Sequence, residues 1–142
     1  MSTQAPYRST VVQRVEAANP EALTRWIVEA CAAARLPEKT AFAVQLCLDE
    51  AVANIVQHGE DGTRASEIAA ALERTDAGVV LDIEDDGAAF DPTAFVVPPR
   101  AADLNKSPVG GLGIHLMRGF ARRMDYSRAG GRNRLRLTFD IG

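Results

Sequence analysis

A carboxylate and an amide, Glu50 and Asn54, lie four residues apart in a largely apolar stretch at residues 46–58. Side chains at this spacing face the same side of an α-helix, with His58 one further turn along. An unpaired polar group in apolar surroundings costs roughly 1–3 kcal/mol, so such a pair needs partners. The pair therefore indicates either a ligand site or the solvated polar stripe of an amphipathic helix.

Two glycine-containing segments could complete a ligand site. Asp85 and Gly87 follow a strand-like segment, where the carboxylate can accept a hydrogen bond from a ligand amine and the glycine permits close approach. Gly111-Leu112-Gly113 precedes a helical pattern, and the free N–H groups at a helix start favour an anion. Taken singly, both segments are also ordinary turn formers. The glycine pair is neither a Walker A loop nor a good dinucleotide fingerprint.

Helical periodicity predicts the elements that carry these groups. Residues 19–20, Asn-Pro, form a good helix start, and apolar residues at spacings of three and four continue this first helix to about Arg35. A second helix from about Pro37 to His58 carries Glu50 and Asn54. A third helix is predicted over residues 111–124.

Five segments show the residue types and alternation typical of strands: 7–15, 66–74, 79–84, 125–129 and 132–141. Residues 85–110 contain several prolines and no periodicity, and a loop of this length is more often functional than not. The short hairpin connections and the lack of strict strand–helix alternation favour an α/β (α+β) two-layer sandwich. Its sheet would be mixed and mainly antiparallel, with helices on one face.

The overall composition narrows the class of protein. A length of 142 residues predicts one domain, residues 1–142, and 46% hydrophobic with 25% charged residues is typical of a soluble globular protein. The net charge of -3 argues against nucleic-acid binding. Cys31 and Cys47 lack metal-site spacing and are expected to be buried structural thiols in a reducing compartment. Without a signal peptide or a membrane-length apolar run, a cytoplasmic protein is expected.

In their order and spacing, the polar motifs resemble the GHKL ATPase superfamily, which includes histidine kinases and type II topoisomerases. Three motifs match, in chain order, its N-box, G1 box and G2 box: Glu50-x-x-x-Asn54, Asp85-x-Gly87 and Gly111-Leu112-Gly113. More narrowly, Phe90-Asp91-Pro92 and the closing Gly131-Arg132-Asn133 turn look like the anti-sigma factor serine/threonine kinases of bacterial partner-switching systems. The resemblance covers nearly the whole chain and implies a histidine-kinase-like ATPase fold.

This resemblance implies an ATP site with Mg²⁺. Asn54 would coordinate the Mg²⁺ that bridges the ATP phosphates, and Asp85 would accept a hydrogen bond from the adenine amino group. Gly87 would let the adenine approach closely, and Gly111, Leu112 and Gly113 would wrap the phosphates. Asn133 lies where the family often has a small polar residue near the base.

The resemblance also implies a lid over the nucleotide at about residues 88–110, with Arg100 and Lys106 as candidate phosphate contacts. One departure from the family pattern is Ala89, which replaces the second glycine of a fuller DxGxG. His58 would lie near the phosphates or serve as a helix cap.

Glu50 would be the general base that takes a proton from an attacking hydroxyl. The implied activity is a protein serine/threonine kinase that phosphorylates an anti-sigma-factor antagonist and binds a sigma factor or comparable regulator. A homodimer through the exposed sheet near the first strand is a further expectation. Two alternatives stay open: a non-catalytic ATP-binding regulatory module and an ATP hydrolase.

Overall fold

The computed structural model describes residues 6–15, 20–59, 65–94 and 111–141. Its elements, in chain order, are β1 (Tyr7–Arg14), α1 (Pro20–Ala33), α2 (Glu38–Gly59), β2 (Glu67–Thr75), β3 (Gly78–Asp85), a short 3-10 helix (Pro92–Ala94), α3 (Gly111–Phe120), β4 (Arg123–Ala129) and β5 (Arg132–Phe139). None of the helices in these ranges is long and apolar enough to cross a membrane.

The strands form a five-stranded sheet in the order β1-β2-β3-β5-β4, and all four strand pairs are antiparallel. The β4–β5 hairpin turns at Gly130 and Gly131, whose φ angles of 59° and 74° suit glycine. The predicted mainly antiparallel sheet is confirmed, and its described part contains no parallel pair. Because β5 inserts between β3 and β4, the end of β3 lies beside the start of β5.

One side of the sheet packs against the helices. The largest fully buried side chains come from both layers: Ile27, Val44, Leu48, Ile68, Leu72, Leu81, Ile83, Ile114, Met117 and Leu137. The other side, called the open face here, carries the alternate residues of each strand, among them Val12, Asp82, Arg134 and Arg136. The two-layer α/β prediction is therefore confirmed, and burying one face of each element accounts for it.

The prediction that the third helix reaches Met124 is wrong, because α3 ends at Phe120. The amide of Ala121 still donates to the carbonyl of Met117 at 2.9 Å, as in a helix, but the amide of Arg122 donates to the carbonyl of Thr138 at 2.7 Å. From Arg123 onward the chain pairs with β5. Sheet hydrogen bonds therefore replace helical ones at this point, although the apolar pattern continues.

The first helix ends in a left-handed residue. Arg35 has a φ of 56°, and the amide of Leu36 donates back to the carbonyl of Cys31 at 3.1 Å, a standard helix closure. The Arg74 guanidinium of β2 donates to the carbonyls of Ala34 at 2.7 Å and Arg35 at 2.6 Å. These bonds satisfy carbonyls that the helix leaves free and tie its end to the sheet.

Both cysteines are free thiols in the core. Burial raises the pKa of the Cys31 thiol to about 11. Burial, together with the nearby Glu50 carboxylate, raises the pKa of the Cys47 thiol to about 12. Since the thiolate is the reactive form, both side chains act as small apolar groups at neutral pH.

Candidate nucleotide site

Two adjacent carboxylates at the end of β3 face different surroundings. Asp85 is only 6% exposed, and its Oδ2 atom accepts hydrogen bonds from the amide of Gly87 at 2.9 Å and from Nδ2 of Asn133 at 3.2 Å. No described residue donates to its Oδ1 atom. The carboxylate is therefore anchored through one oxygen, and the other can accept a hydrogen bond from a ligand.

Asp86 closes the loop onto the start of β2. It accepts hydrogen bonds from the Ser66 hydroxyl, from the Ser66 amide at 2.7 Å and from the Glu67 amide at 3.1 Å. The Ser66 hydroxyl bond, with the two backbone bonds, lowers the pKa of Asp86 to about 2. Asp86 thus stabilises the loop, and Asp85 is the carboxylate with an oxygen left for a ligand.

Asn133 lies directly opposite Asp85 in the β3–β5 pair. Its Nδ2 atom donates to Asp85 and to the carbonyl of Ala88 at 2.8 Å. Its Oδ1 atom accepts from Arg128 at 2.9 Å, from the Tyr126 hydroxyl, and from the amide of Phe90 at 3.4 Å. Asn133 therefore holds the Asp85 loop to the β4–β5 hairpin.

Asn54 presents an amide nitrogen that has no hydrogen-bond partner among the described residues. It is 7% exposed on α2, and its Nδ2 atom is buried with no hydrogen-bond partner in the described part of the chain. A buried polar atom of this kind is rare in a native protein and calls for an explanation. A bound ligand that supplies the missing partner is such an explanation.

Glu50 lies one helical turn before Asn54 and contacts the start of α3. A Cβ atom on Gly113 would come within 2.5 Å of Oε2 of Glu50. Gly111 and Leu112 are the first residues of α3, so the contact with Gly113 lies in the first turn of this helix. The N-box helix and the G2 segment, separate in sequence, therefore meet.

Asn54, Asp85 and Asn133 line one cavity with about 490 Å³ of empty space, including its open mouth. Its lining residues are Ala51, Asn54, Ile55, Ile83, Asp85, Gly87, Ala88, Phe90, Pro92, Tyr126, Asn133 and Leu135. Apolar walls with a few polar groups are typical of a site for a partly apolar small molecule.

A family model described as the histidine kinase-like ATPase domain matches residues 14–139. The chain belongs to this family. It is also 38% identical over 113 residues to the serine/threonine-protein kinase BtrW of Bordetella bronchiseptica, an alignment that covers 80% of each protein. A solved structure of the Acinetobacter baumannii histidine kinase AdeS aligns with 13% identity and a TM-score of 0.49, over 94% of this chain and 68% of the other.

ATP binding follows from membership of the histidine kinase-like ATPase family. The structure places the predicted residues Asn54, Asp85, Gly87 and Asn133 around the same cavity. It places Glu50 beside the start of α3, with Gly113.

The predicted lid at about residues 88–110 lies only partly within the described residues. Residues 88–94 of the predicted lid form the segment that ends in the 3-10 helix. Arg100, Lys106 and the rest of the lid lie outside the described residues, as does the side chain of His58.

The donor set fits a metal that is shared with a nucleotide. Among the described residues, no three His, Cys, Asp or Glu side chains cluster into a protein-only metal site. Mg²⁺ typically takes one or two protein oxygens and completes its shell with phosphates and water. The side-chain amide of Asn54 can supply such an oxygen, because an amide can turn either its nitrogen or its oxygen towards a ligand.

Sequence reasoning missed Tyr126 and Arg128. Both side chains contact Asn133 from β4, and Arg128 also donates to the carbonyl of Gly87 at 3.0 Å. The sequence could have indicated Arg128, because a two-residue turn at residues 130–131 fixes the hairpin register and places Arg128 opposite Asn133. That Asn133 lies beside Asp85 depends on the strand order, which the hairpin does not specify.

Proposed function

We propose that this protein is an ATP-dependent serine/threonine protein kinase that phosphorylates an anti-sigma-factor antagonist protein. The observation that carries the proposal is the Glu50 carboxylate beside Gly113, next to the helix start that would hold the ATP phosphates. The similarity to a protein named as a serine/threonine-protein kinase supports it. Binding alone does not require a carboxylate at this place, whereas proton transfer does.

The adenine end of ATP would occupy the apolar cavity. Its amino group would donate to Oδ1 of Asp85, since Oδ2 is already satisfied by Gly87 and Asn133. Gly87 leaves room for this approach. A Cβ atom there would lie 3.0 Å from Oδ2 of Asp85 and 3.1 Å from the amide nitrogen of Ala65, so a side chain would crowd the carboxylate.

The phosphates would lie at the start of α3. The first N–H groups of a helix have no helical partner and carry partial positive charge, which favours an anion. Gly111, Leu112 and Gly113 supply these groups. The amide of Asn54 would hold Mg²⁺, and the metal when bound would offset the negative charge of the phosphates.

Glu50 would act on the attacking hydroxyl. The seryl or threonyl oxygen forms a bond to the γ-phosphorus while the bond from that phosphorus to the bridging oxygen of ADP breaks. The hydroxyl proton passes to the Glu50 carboxylate, and ADP leaves. This assignment needs one positioned carboxylate near the phosphates and no covalent enzyme intermediate.

The proposed partners are the antagonist as substrate and a sigma factor or comparable regulator as a second binding protein. Such a role implies the cytoplasm, where sigma factors act. A homodimer through the open face near β1 is part of the proposal. Val12 on β1 is 63% exposed on this face, and on the same face Arg134 and Arg136 of β5 pair with Asp82 of β3 at 2.9–3.1 Å.

The test incubates the protein with γ-labelled ATP, Mg²⁺ and a purified candidate antagonist. Label on the antagonist that is lost with Glu50→Ala supports the kinase. Nucleotide binding is measured in parallel, and Glu50→Ala should retain it, whereas Asp85→Asn should weaken it.

The same experiment separates the alternatives. Free phosphate released without the antagonist would indicate a hydrolase in which Glu50 activates water. ATP binding with neither labelled protein nor free phosphate would indicate a non-catalytic module and would sink the enzymatic proposal. Equal loss of binding in Asp85→Asn and Glu50→Ala would contradict the division of roles between these residues.

A further inference from the structure

We infer that Tyr126 and Arg128 on β4 are positioning residues that determine how strongly the site selects the amino group of adenine. They act through Asn133 on Asp85. The inference rests on the nucleotide-binding role proposed above for Asp85, and it is independent of the phosphoryl transfer step.

The register of the sheet places three of these side chains in one line. Asp85 on β3 is opposite Asn133 on β5, and Asn133 is opposite Arg128 on β4. Directly opposite residues on one face of a sheet are close enough to interact. Tyr126 lies two residues before Arg128 on the same face, and its side chain lines the cavity.

The hydrogen bonds around Asn133 allow one orientation of its amide. The carbonyl oxygen of Ala88 and Oδ2 of Asp85 both accept hydrogen bonds from Asn133, so both face its Nδ2 atom. The guanidinium of Arg128 can only donate, so it must face Oδ1. The Tyr126 hydroxyl donates to the same oxygen. If the amide were rotated by 180°, its oxygen would face the acceptor oxygens of Asp85 and Ala88, and its nitrogen would face the donor guanidinium of Arg128.

This orientation determines what Asp85 offers a ligand. Nδ2 of Asn133 and the amide of Gly87 both donate hydrogen bonds to Oδ2 of Asp85. The Oδ1 atom therefore remains available to accept a hydrogen bond from a ligand. Without the β4 donors, only Asp85, Ala88 and the Phe90 amide would still hold the Asn133 amide, so its position against Asp85 would be less restrained. Arg128 adds a second restraint through the carbonyl of Gly87. The fixed acceptor therefore depends on residues that act through Asn133.

The test compares ATP with purine riboside triphosphate, which has the same ring system and phosphates but lacks the 6-amino group. A hydrogen bond to a charged group predicts that the wild-type protein favours ATP by about 10- to 100-fold. Dissociation constants for both nucleotides are measured with Mg²⁺ by competition against a fluorescent ATP analogue.

Tyr126→Phe removes the hydroxyl and keeps the ring, and Arg128→Met keeps most of the stem and removes the donors. In the double variant we expect the preference for ATP to fall by about tenfold, close to the loss of one charged hydrogen bond. Affinity for purine riboside triphosphate should change little. Arg123→Met and Ser127→Ala, on the other face of β4, are matched controls that should keep the wild-type preference.

Three outcomes would overturn the inference. A preference that persists in the folded double variant refutes it while leaving the Asp85 role intact. Equal weakening of both nucleotides shows a general packing role instead. A wild-type protein that binds both equally refutes the Asp85 role and, with it, this inference. Thermal unfolding checks that the variants fold, and the single variants provide the same comparison if the double variant does not.

Discussion

The Glu50 carboxylate lies against the bare backbone of Gly113, where a Cβ atom would stand 2.5 Å from Oε2. Gly113 is helical, so the glycine is needed here for space and not for an unusual backbone angle. The close approach places the proposed base at the first turn of α3. It also gives a way to move that carboxylate without removing it.

Gly113→Ala should slow phosphoryl transfer and spare folding. The added methyl group displaces the end of a flexible side chain, and a misplacement of about 1 Å can cost on the order of 100-fold in rate. Alanine also suits a helix better than glycine, so the free energy of unfolding should stay level or rise by up to about 1 kcal/mol. Transfer from γ-labelled ATP and urea denaturation measure the two effects.

Gly119→Ala is the matched control on the same helix. A Cβ atom at Gly119 meets nothing within 4 Å, so this variant should keep the wild-type transfer rate. A Gly113→Ala protein with normal activity would show that the position of Glu50 does not matter for the reaction.

Asn54→Ala should separate stability from ligand binding. The change removes a buried amide nitrogen that lacks a partner, a group whose burial costs about 1–3 kcal/mol. Without nucleotide, the variant should therefore be at least as stable as the wild type. The rise in melting temperature on adding Mg²⁺ and ATP should largely disappear, because that rise measures preferential binding to the folded state.

Gln45→Ala, an amide-to-alanine change on the same helix, should keep the nucleotide-induced rise. The role of Asn54 would be refuted by an Asn54→Ala protein that is clearly destabilised without ligand and still gains the full shift with it.

Asp86→Asn should show a pH-dependent loss of stability. The folded pKa of about 2 lies below the ordinary value of 3.8, so the ionised form stabilises the folded state above about pH 4. This contribution is lost as the pH falls from about 4 through about 2. The variant should be less stable than the wild type at pH 7, and the difference should narrow over this acid range.

Ser66→Ala provides the cross-check, because the Ser66 hydroxyl bond is the largest cause of the lowered pKa. Ser66→Ala should reproduce part of the same pH dependence of stability. In the Ser66→Ala background, Asp86→Asn should cause a smaller loss of stability than it causes in the wild type. Denaturant unfolding at several pH values measures both, and a gap that stays constant with pH would contradict the assignment.

Arg35→Gly should stabilise the protein. Arg35 holds a left-handed φ of 56° at the end of α1, a conformation that costs non-glycine residues roughly 1 kcal/mol. Its backbone carbonyl, which accepts from Arg74, is kept in the variant. We expect a gain of about 0.5–1 kcal/mol, somewhat reduced by the greater freedom of glycine in the unfolded chain.

Arg25→Gly is the control, because Arg25 is an exposed residue in the interior of α1. Glycine there should lower the free energy of unfolding by about 1 kcal/mol. Denaturant unfolding compares the two variants. Equal destabilisation by both would show that the closure of α1 gains nothing from glycine.

Local patterns were enough to predict most elements of the fold. The periodicity of α2, the Asn-Pro start of α1 and the glycine turn at residues 130–131 depend on short-range sterics and hydrogen bonds. The same local reading failed at the end of α3. There the apolar spacing continues to Met124, but pairing of Arg122 with Thr138 ends the helix earlier.

The sequence by itself determined which residues could act: a carboxylate and amide on one helix stripe, an Asp-x-Gly after a strand and glycines at a helix start. The tertiary structure decided that Asp85 faces the cavity while Asp86 binds Ser66, that Asn133 is held by Tyr126 and Arg128, and that Glu50 meets Gly113. The physical reason is that residue type and spacing act over a few positions of the chain. Which oxygen is satisfied and which is left free depends on strands and helices that become neighbours only when the core closes.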